Sequence, residues 1–284
     1  MIYLPLFAAF IGAIGTIWEK IIVRKRKIDT KVYLTAGFLA IVLAMLPFMF
    51  FFWDIKEGAF ALTNLFIFFM IIVFSIIANL FVLYSLKWEK ISNLEPLRMI
   101  EPLLTILLAI IFSYFIDGNL YERNIKVIIP ALIAGTAIIF AHFEKHHLKF
   151  NKYLIAAILG SLFFALELVM TRMMLEFYSP MTFYFIRCLA IFLISLVIFR
   201  PKMGTLQTPI KLQILVIAVM WVVYRVIIYY GYMNLGIIFT TLMVMLSPVF
   251  IYLLAWKFLK DKITWRNIVA SIIIVGCIIY VVGN

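Results

Sequence analysis

Ten stretches of this chain, near residues 2–23, 32–53, 63–86, 94–115, 124–143, 152–174, 180–199, 210–233, 237–258 and 266–283, are almost uninterrupted in their apolar character. A hydrocarbon layer about 30 Å thick is crossed by roughly 20 residues of helix, so each stretch is long enough to span it. Little chain is left over for a soluble domain. Backbone polar groups in lipid must be paired internally, which only helices and closed barrels achieve. A barrel would alternate apolar and polar residues along short strands, and these runs do not alternate. The sequence therefore predicts an all-α integral membrane protein with ten transmembrane helices, multi-pass in the cell membrane. Apolar and aromatic residues make up 67% of the chain and charged ones 13%, with mean hydropathy +1.15. That balance excludes a cytosolic enzyme, a nucleic-acid-binding protein and a secreted disulfide scaffold. Cys188 and Cys277 both fall inside apolar runs and read as core residues. The first run has no basic segment before it and no small-residue cleavage site ahead of Arg24-Lys25-Arg26-Lys27, so it is expected to stay as a helix.

The net charge of +12 is a matter of topology. Seventeen of the 25 Lys and Arg residues, from Arg24 to Arg266, fall in the odd-numbered connections or at the span ends that border them. Only Lys56, Arg123, Lys126 and Arg172 fall in the even-numbered ones. The positive-inside rule makes the basic face cytoplasmic and puts both termini outside. Trp53, Trp88, Trp256 and Trp265 stand at span ends, where they read as interface anchors. The run Phe48 to Phe52 reads as lipid-facing or packing surface.

An internal repeat organises the chain. Ala8, Ala9, Gly12, Glu19 and Arg24 match Ala156, Ala157, Gly160, Glu167 and Arg172 at one offset of 148. Further on, Leu39-Ala40-Ile41 matches Leu189-Ala190-Ile191, Pro102 matches Pro248, and Arg123-Asn124-Ile125 matches Arg266-Asn267-Ile268. This divides the chain into two five-helix halves, 1–150 and 151–284. Five is odd, so the second half enters the membrane upside down. Such a 5+5 inverted repeat places a substrate site at the repeat interface near the midplane.

Tyr84-Ser85-Leu86-Lys87, then Ser92, then Glu101-Pro102 in the first half, and Tyr230-Gly231-Tyr232, Ser247-Pro248 and Asp261-Lys262-Ile263-Thr264 in the second, resemble the EamA domain of the drug/metabolite transporter superfamily. The resemblance covers both halves. It implies a metabolite transporter, often an exporter, with a central cavity between two inverted repeats and with both termini cytoplasmic, the reverse of what the charge bias suggests. The fourth span carries Glu95, Pro96 and Arg98 where the family usually has small or apolar residues.

Ionisable side chains inside a span cost at least about 2.5 kcal/mol each on insertion scales and so tend to face a cavity or a partner. Glu95, Arg98 and Glu101 recur every three residues and share one face of the fourth helix. On one reading Arg98 holds an anionic group while Glu101 binds a cation or exchanges a proton; on the other the three neutralise one another. Arg225, mid-span in the eighth helix, corresponds in the repeat to Asn79. It either holds a substrate carboxylate or phosphate or acts as counter-ion to Glu101. Arg187 stands where many EamA domains have an arginine and reads as a scaffold residue bonding carbonyls. Glu167 is deep enough for a raised pKa and a part in proton coupling, whereas its repeat partner Glu19, beside Lys20, reads as hydrated at the interface. Tyr230, Tyr232 and Asn234 are lining candidates. His142, His146 and His147 read as solvated, and no spacing suggests a metal site.

The chain lacks metalloprotease, phosphate-loop and serine-nucleophile motifs, and no enzyme activity or cofactor is expected. The expected function is alternating-access export of a small polar or amphiphilic metabolite such as an amino acid. Protons and membrane lipids are further expected partners, nucleic acid is not, and the chain is expected to be a monomer. The alternatives are a proton-coupled exporter of organic cations and, from another class, a channel, scramblase or non-transporting scaffold.

Overall fold

In a computed structural model the chain is described over residues 3–25, 28–88, 100–116, 120–142, 152–202, 204, 206–254 and 264–283. Helices α1 (Tyr3–Lys25), α2 (Thr30–Phe52) and α3 (Leu62–Trp88) are followed by α4 (Ile100–Phe115) and α5 (Ile125–His142). After residue 150 come α6 (Lys152–Met174), α7 (Pro180–Phe199), α8 (Thr208–Asn234), α9 (Ile237–Val244), α10 (Ser247–Leu254) and α11 (Trp265–Gly283). One 3₁₀ turn, Glu57–Phe60, sits between α2 and α3. Among the described residues there is no β-strand, only an isolated bridge between Ile55 and Tyr178.

Six of these helices, α2, α3, α6, α7, α8 and α11, are long and apolar enough to cross a bilayer. Shorter apolar stretches are Tyr3–Glu19, Ile100–Phe115, Ile125–Ala141 and Ile237–Leu253. The last of these is interrupted. Met245 and Leu246 form a turn between α9 and α10, with Ser247 and Pro248 opening the new helix; proline has no N–H to continue the ladder and fits best in a first turn. Elsewhere the caps follow side-chain chemistry. Ser179 Oγ accepts from the Thr182 N–H at 3.2 Å, with Pro180 opening α7, and Asp29 Oδ1 accepts from the Lys31 N–H at 3.1 Å before α2. Phe50 and Phe51 are 88% and 77% exposed, as lipid-facing side chains would be. Trp53, Trp88 and Trp265 are exposed at helix ends.

Most of the packing joins a helix before residue 150 to one after it. Helix α3 lies along α6, and α1 along α8; α2 packs on α7, and α5 on α11. Helix α4 packs on α6, while α9 and α10 pack on α1. Small residues permit the closest approaches. A Cβ on Gly160 would lie 2.8 Å from Val82 Cγ2 and 3.3 Å from the Ala78 carbonyl oxygen of α3. One on Gly12, its repeat equivalent, would lie 2.7 Å from the Tyr224 ring of α8. Gly160→Leu is therefore expected to destabilise the protein by about 1–3 kcal/mol through overpacking. Thermal unfolding in detergent checks this, and an unchanged midpoint would mean that α3 and α6 are further apart.

Candidate functional site

Between the helices lies a cavity of about 200 Å³. Its lining comes from the later turns of α1 (Gly12, Thr16, Glu19), the first turns of α2 (Tyr33, Leu34), and the later turns of α3 (Asn79, Val82). To these α4 adds Glu101, Pro102 and Thr105; α8 adds Trp221, Tyr224, Arg225 and Tyr232; and the α9–α10 break adds Met245, Ser247 and Pro248. The interrupted helix thus breaks at the cavity wall, where irregular backbone at membrane depth is tolerated because it is not exposed to lipid.

Arg225 is central to the site. Its guanidinium stands 5.8 Å from the ring centroids of both Phe164 and Tyr224, cation–π contacts that hold a charge in an apolar wall. Glu167 and Glu101 both act on it electrostatically. Asn79, its repeat equivalent, also lines the cavity and donates to the Ser75 carbonyl at 2.7 Å. Glu19 lines the cavity as well and hydrogen-bonds Tyr33. This differs from the hydrated interface position expected of it.

Beside the cavity sits a buried polar node. Arg187 Nη2 pairs with Glu167 Oε1 at 3.2 Å, with Arg187 side-chain exposure at 3% and Glu167 at 0%. Arg187 also donates to Ser75 Oγ and, at 3.2 Å, to the Tyr229 hydroxyl. Tyr229 and Thr171 in turn each donate to Glu167 Oε1 at 3.3 Å. The node ties α3, α6, α7 and α8 together. Arg187, which also lines the cavity, is bonded to a carboxylate and hydroxyls where carbonyls were expected. Glu167, considered for proton coupling, is not among the lining residues.

Other candidates separate. Tyr230 is 37% exposed and does not line the cavity, whereas Tyr232 is buried and does. Asn234 is exposed and caps the Tyr230 carbonyl at 2.8 Å. Glu95, Arg98, Trp256, Asp261, His146 and His147 lie outside the described residues. Cys188 is fully buried in the core. Among the described residues, no group of three or more His, Cys, Asp or Glu side chains is placed to hold a metal ion.

No curated protein matches the sequence. A solved structure described only as "Crystal structure of protein" aligns over 98% of this chain and 94% of its own, with a TM-score of 0.62 at 15% identity. At that identity the likeness is one of fold. The model of the EamA-like transporter family matches residues 151–283. With its apolar helices, the chain is an integral multi-pass membrane protein. That matched segment, residues 151–283, resembles a domain of the drug/metabolite transporter superfamily.

Proposed function

We propose that the protein is a secondary transporter that exports a small zwitterionic metabolite, such as an amino acid, across the cell membrane by alternating access. The observation that carries this reading is the placement of Glu101 and Arg225, opposite charges from the two halves, on one cavity of about 200 Å³. A carboxylate wants the guanidinium and an ammonium wants the glutamate, while Trp221, Tyr224 and Phe38 offer apolar surface to a side chain. A volume this small suits an amino acid better than a drug-sized ligand.

The reading includes ten spans in a 5+5 inverted repeat, counting α9 and α10 as one span and residues 94–115 as another. The packing supports it. Exchanging each helix for its repeat partner turns the α3–α6 pair into α8–α1 and the α4–α6 pair into α9/α10–α1, while α2–α7 and α5–α11 map onto themselves. Both members of each exchanged pair are present. The positive-inside bias supports a cytoplasmic basic face. With a gradient as the driving force, the protein acts as a carrier and not as an enzyme. Exchange of organic cations for protons is a second reading, favoured by the two carboxylates and the aromatic rings of the lining.

A thermal-shift screen across amino acids, nucleosides, sugars and organic cations tests the substrate class. Zwitterionic amino acids are expected to raise the unfolding midpoint, and Glu101→Gln is expected to weaken that binding about tenfold by removing one charge-assisted hydrogen bond. Stabilisation by organic cations alone would replace the first reading with the second. An unaltered affinity in Glu101→Gln would take Glu101 out of the site.

A further inference from the structure

The α2–α3, α4–α5, α6–α7 and α8–α9 connections meet at one end of the bundle, and the cavity lies towards the other. Residues 54–56 bond residues 177–179 there: the Lys56 N–H donates to the Phe177 carbonyl at 2.9 Å and the Ser179 N–H to the Asp54 carbonyl at 3.2 Å. The Tyr121 hydroxyl donates to the Val169 carbonyl at 2.9 Å. Glu122 makes a less ordinary contact. Its carboxylate accepts from the N–H groups of Ile238 and Phe239, the latter at 3.1 Å, which are first-turn donors with no partner inside α9. Gly236 permits the approach. Its φ is +89°, and a Cβ there would fall 2.2 Å from Glu122 Cδ, so another residue would be both strained and in collision.

The geometry points to Glu122 as a proton-binding latch between the two halves, one that closes this end of the bundle when protonated and releases it when ionised. The inference rests on the alternating-access reading, in which this end must open. The helix it holds, α9, continues into the cavity wall at Thr241, Val244 and Met245, so releasing the latch frees an element of the site itself.

Few charges face Glu122. From α6, Arg172 acts on the carboxylate, while its own buried Nε has no hydrogen-bond partner among the described residues. From the α6–α7 connection, Glu176 acts on neighbouring Tyr121. On its own segment, Arg123 is bonded to the Ser113 carbonyl and stands over the Tyr114 ring, and Lys126 is exposed. The first turn of α9 has no ionisable group. Burial outweighs the two N–H bonds and Arg172, and pushes the Glu122 carboxyl from 4.5 up to about 7. Once the connection moves into water the carboxyl returns towards its ordinary value. The closed end therefore binds the proton more tightly than the open one, so acid favours closure and that preference is lost as pH rises through about 7.

Spin labels on Lys126→Cys and Asn234→Cys, in a Cys277→Ser background in nanodiscs, report the separation across the latch. The ratio of short to long distances is expected to rise about tenfold from pH 8 to pH 6. Glu122→Gln, a neutral isostere of the protonated acid, is expected to lose that pH response. A second readout needs no change at Glu122: after correction for intrinsic exchange rates, the amides at 238 and 239 are expected to be better protected at pH 6 than at pH 8. Distances and protection blind to pH, or an undiminished response in Glu122→Gln, would overturn the latch. Substrate counterflow at pH 8, where the latch is released, keeps the two ideas separate. Flux with pH-blind distances removes the latch alone, and pH-dependent distances without flux remove the carrier reading while sustaining the latch.

Discussion

Arg187→Ala is expected to cost about 3–5 kcal/mol of stability, because it leaves Glu167 as a buried carboxylate without its cation. Glu167 has no water-exposed surface with which to recover hydration, and one of its oxygens, Oε2, already has no hydrogen-bond partner among the described residues. The loss extends beyond one pair, since Ser75 of α3 and Tyr229 of α8 bond the same guanidinium. Thermal unfolding in detergent should show a large drop in midpoint. The paired change Glu167→Gln with Arg187→Met should recover most of it, because the penalty belongs to a lone buried charge more than to a missing attraction. A double variant no better than Arg187→Ala would assign the node's value to shape and hydroxyl bonding instead.

Arg225→Ala is expected to act on function and not on the fold. The charge faces a cavity, where water can replace it, and its ring contacts with Phe164 and Tyr224 are modest contributors. Losing a charge-assisted bond to a substrate carboxylate weakens binding by about 1.5–3 kcal/mol, roughly 10- to 100-fold. Arg225→Lys keeps the charge without the planar fork and should fall between. Measuring substrate affinity alongside the unfolding midpoint checks the split. A variant that unfolds like Arg187→Ala would make Arg225 a second scaffold residue.

Helix positions were legible wherever apolar runs end at charged or turn residues. The runs 152–174 and 180–199 coincide with α6 and α7, since Ser179-Pro180 and Arg200-Pro201 state their boundaries chemically. The run 237–258 is where the reading needed the structure: Pro248 signals a break, but only packing against α1, α4 and α5 places α9 and α10 around the turn at Met245. For the site, the repeat was the better guide than local context. It joined Arg225 to Asn79, which share the cavity, but was no guide for Glu19 and Glu167, of which only Glu19 lines it. Tyr230 failed for a geometric reason. Successive residues turn 100° around a helix, so Tyr229 enters the buried node, Tyr230 faces outwards and Tyr232 returns to the lining. The Arg187–Glu167 pair and the Glu122 contact with α9 were hidden because both depend on which helices become neighbours, and no local pattern states that.

The proposed function requires a carrier with one cavity between its two halves. Counterflow in liposomes tests it most directly: vesicles preloaded with an unlabelled amino acid should take up the labelled one transiently above equilibrium, at a rate that saturates with concentration and is lost in Arg225→Ala. Uptake that rises linearly without saturation, or that shows no acceleration by substrate on the far side, would contradict alternating access and identify the protein as a channel.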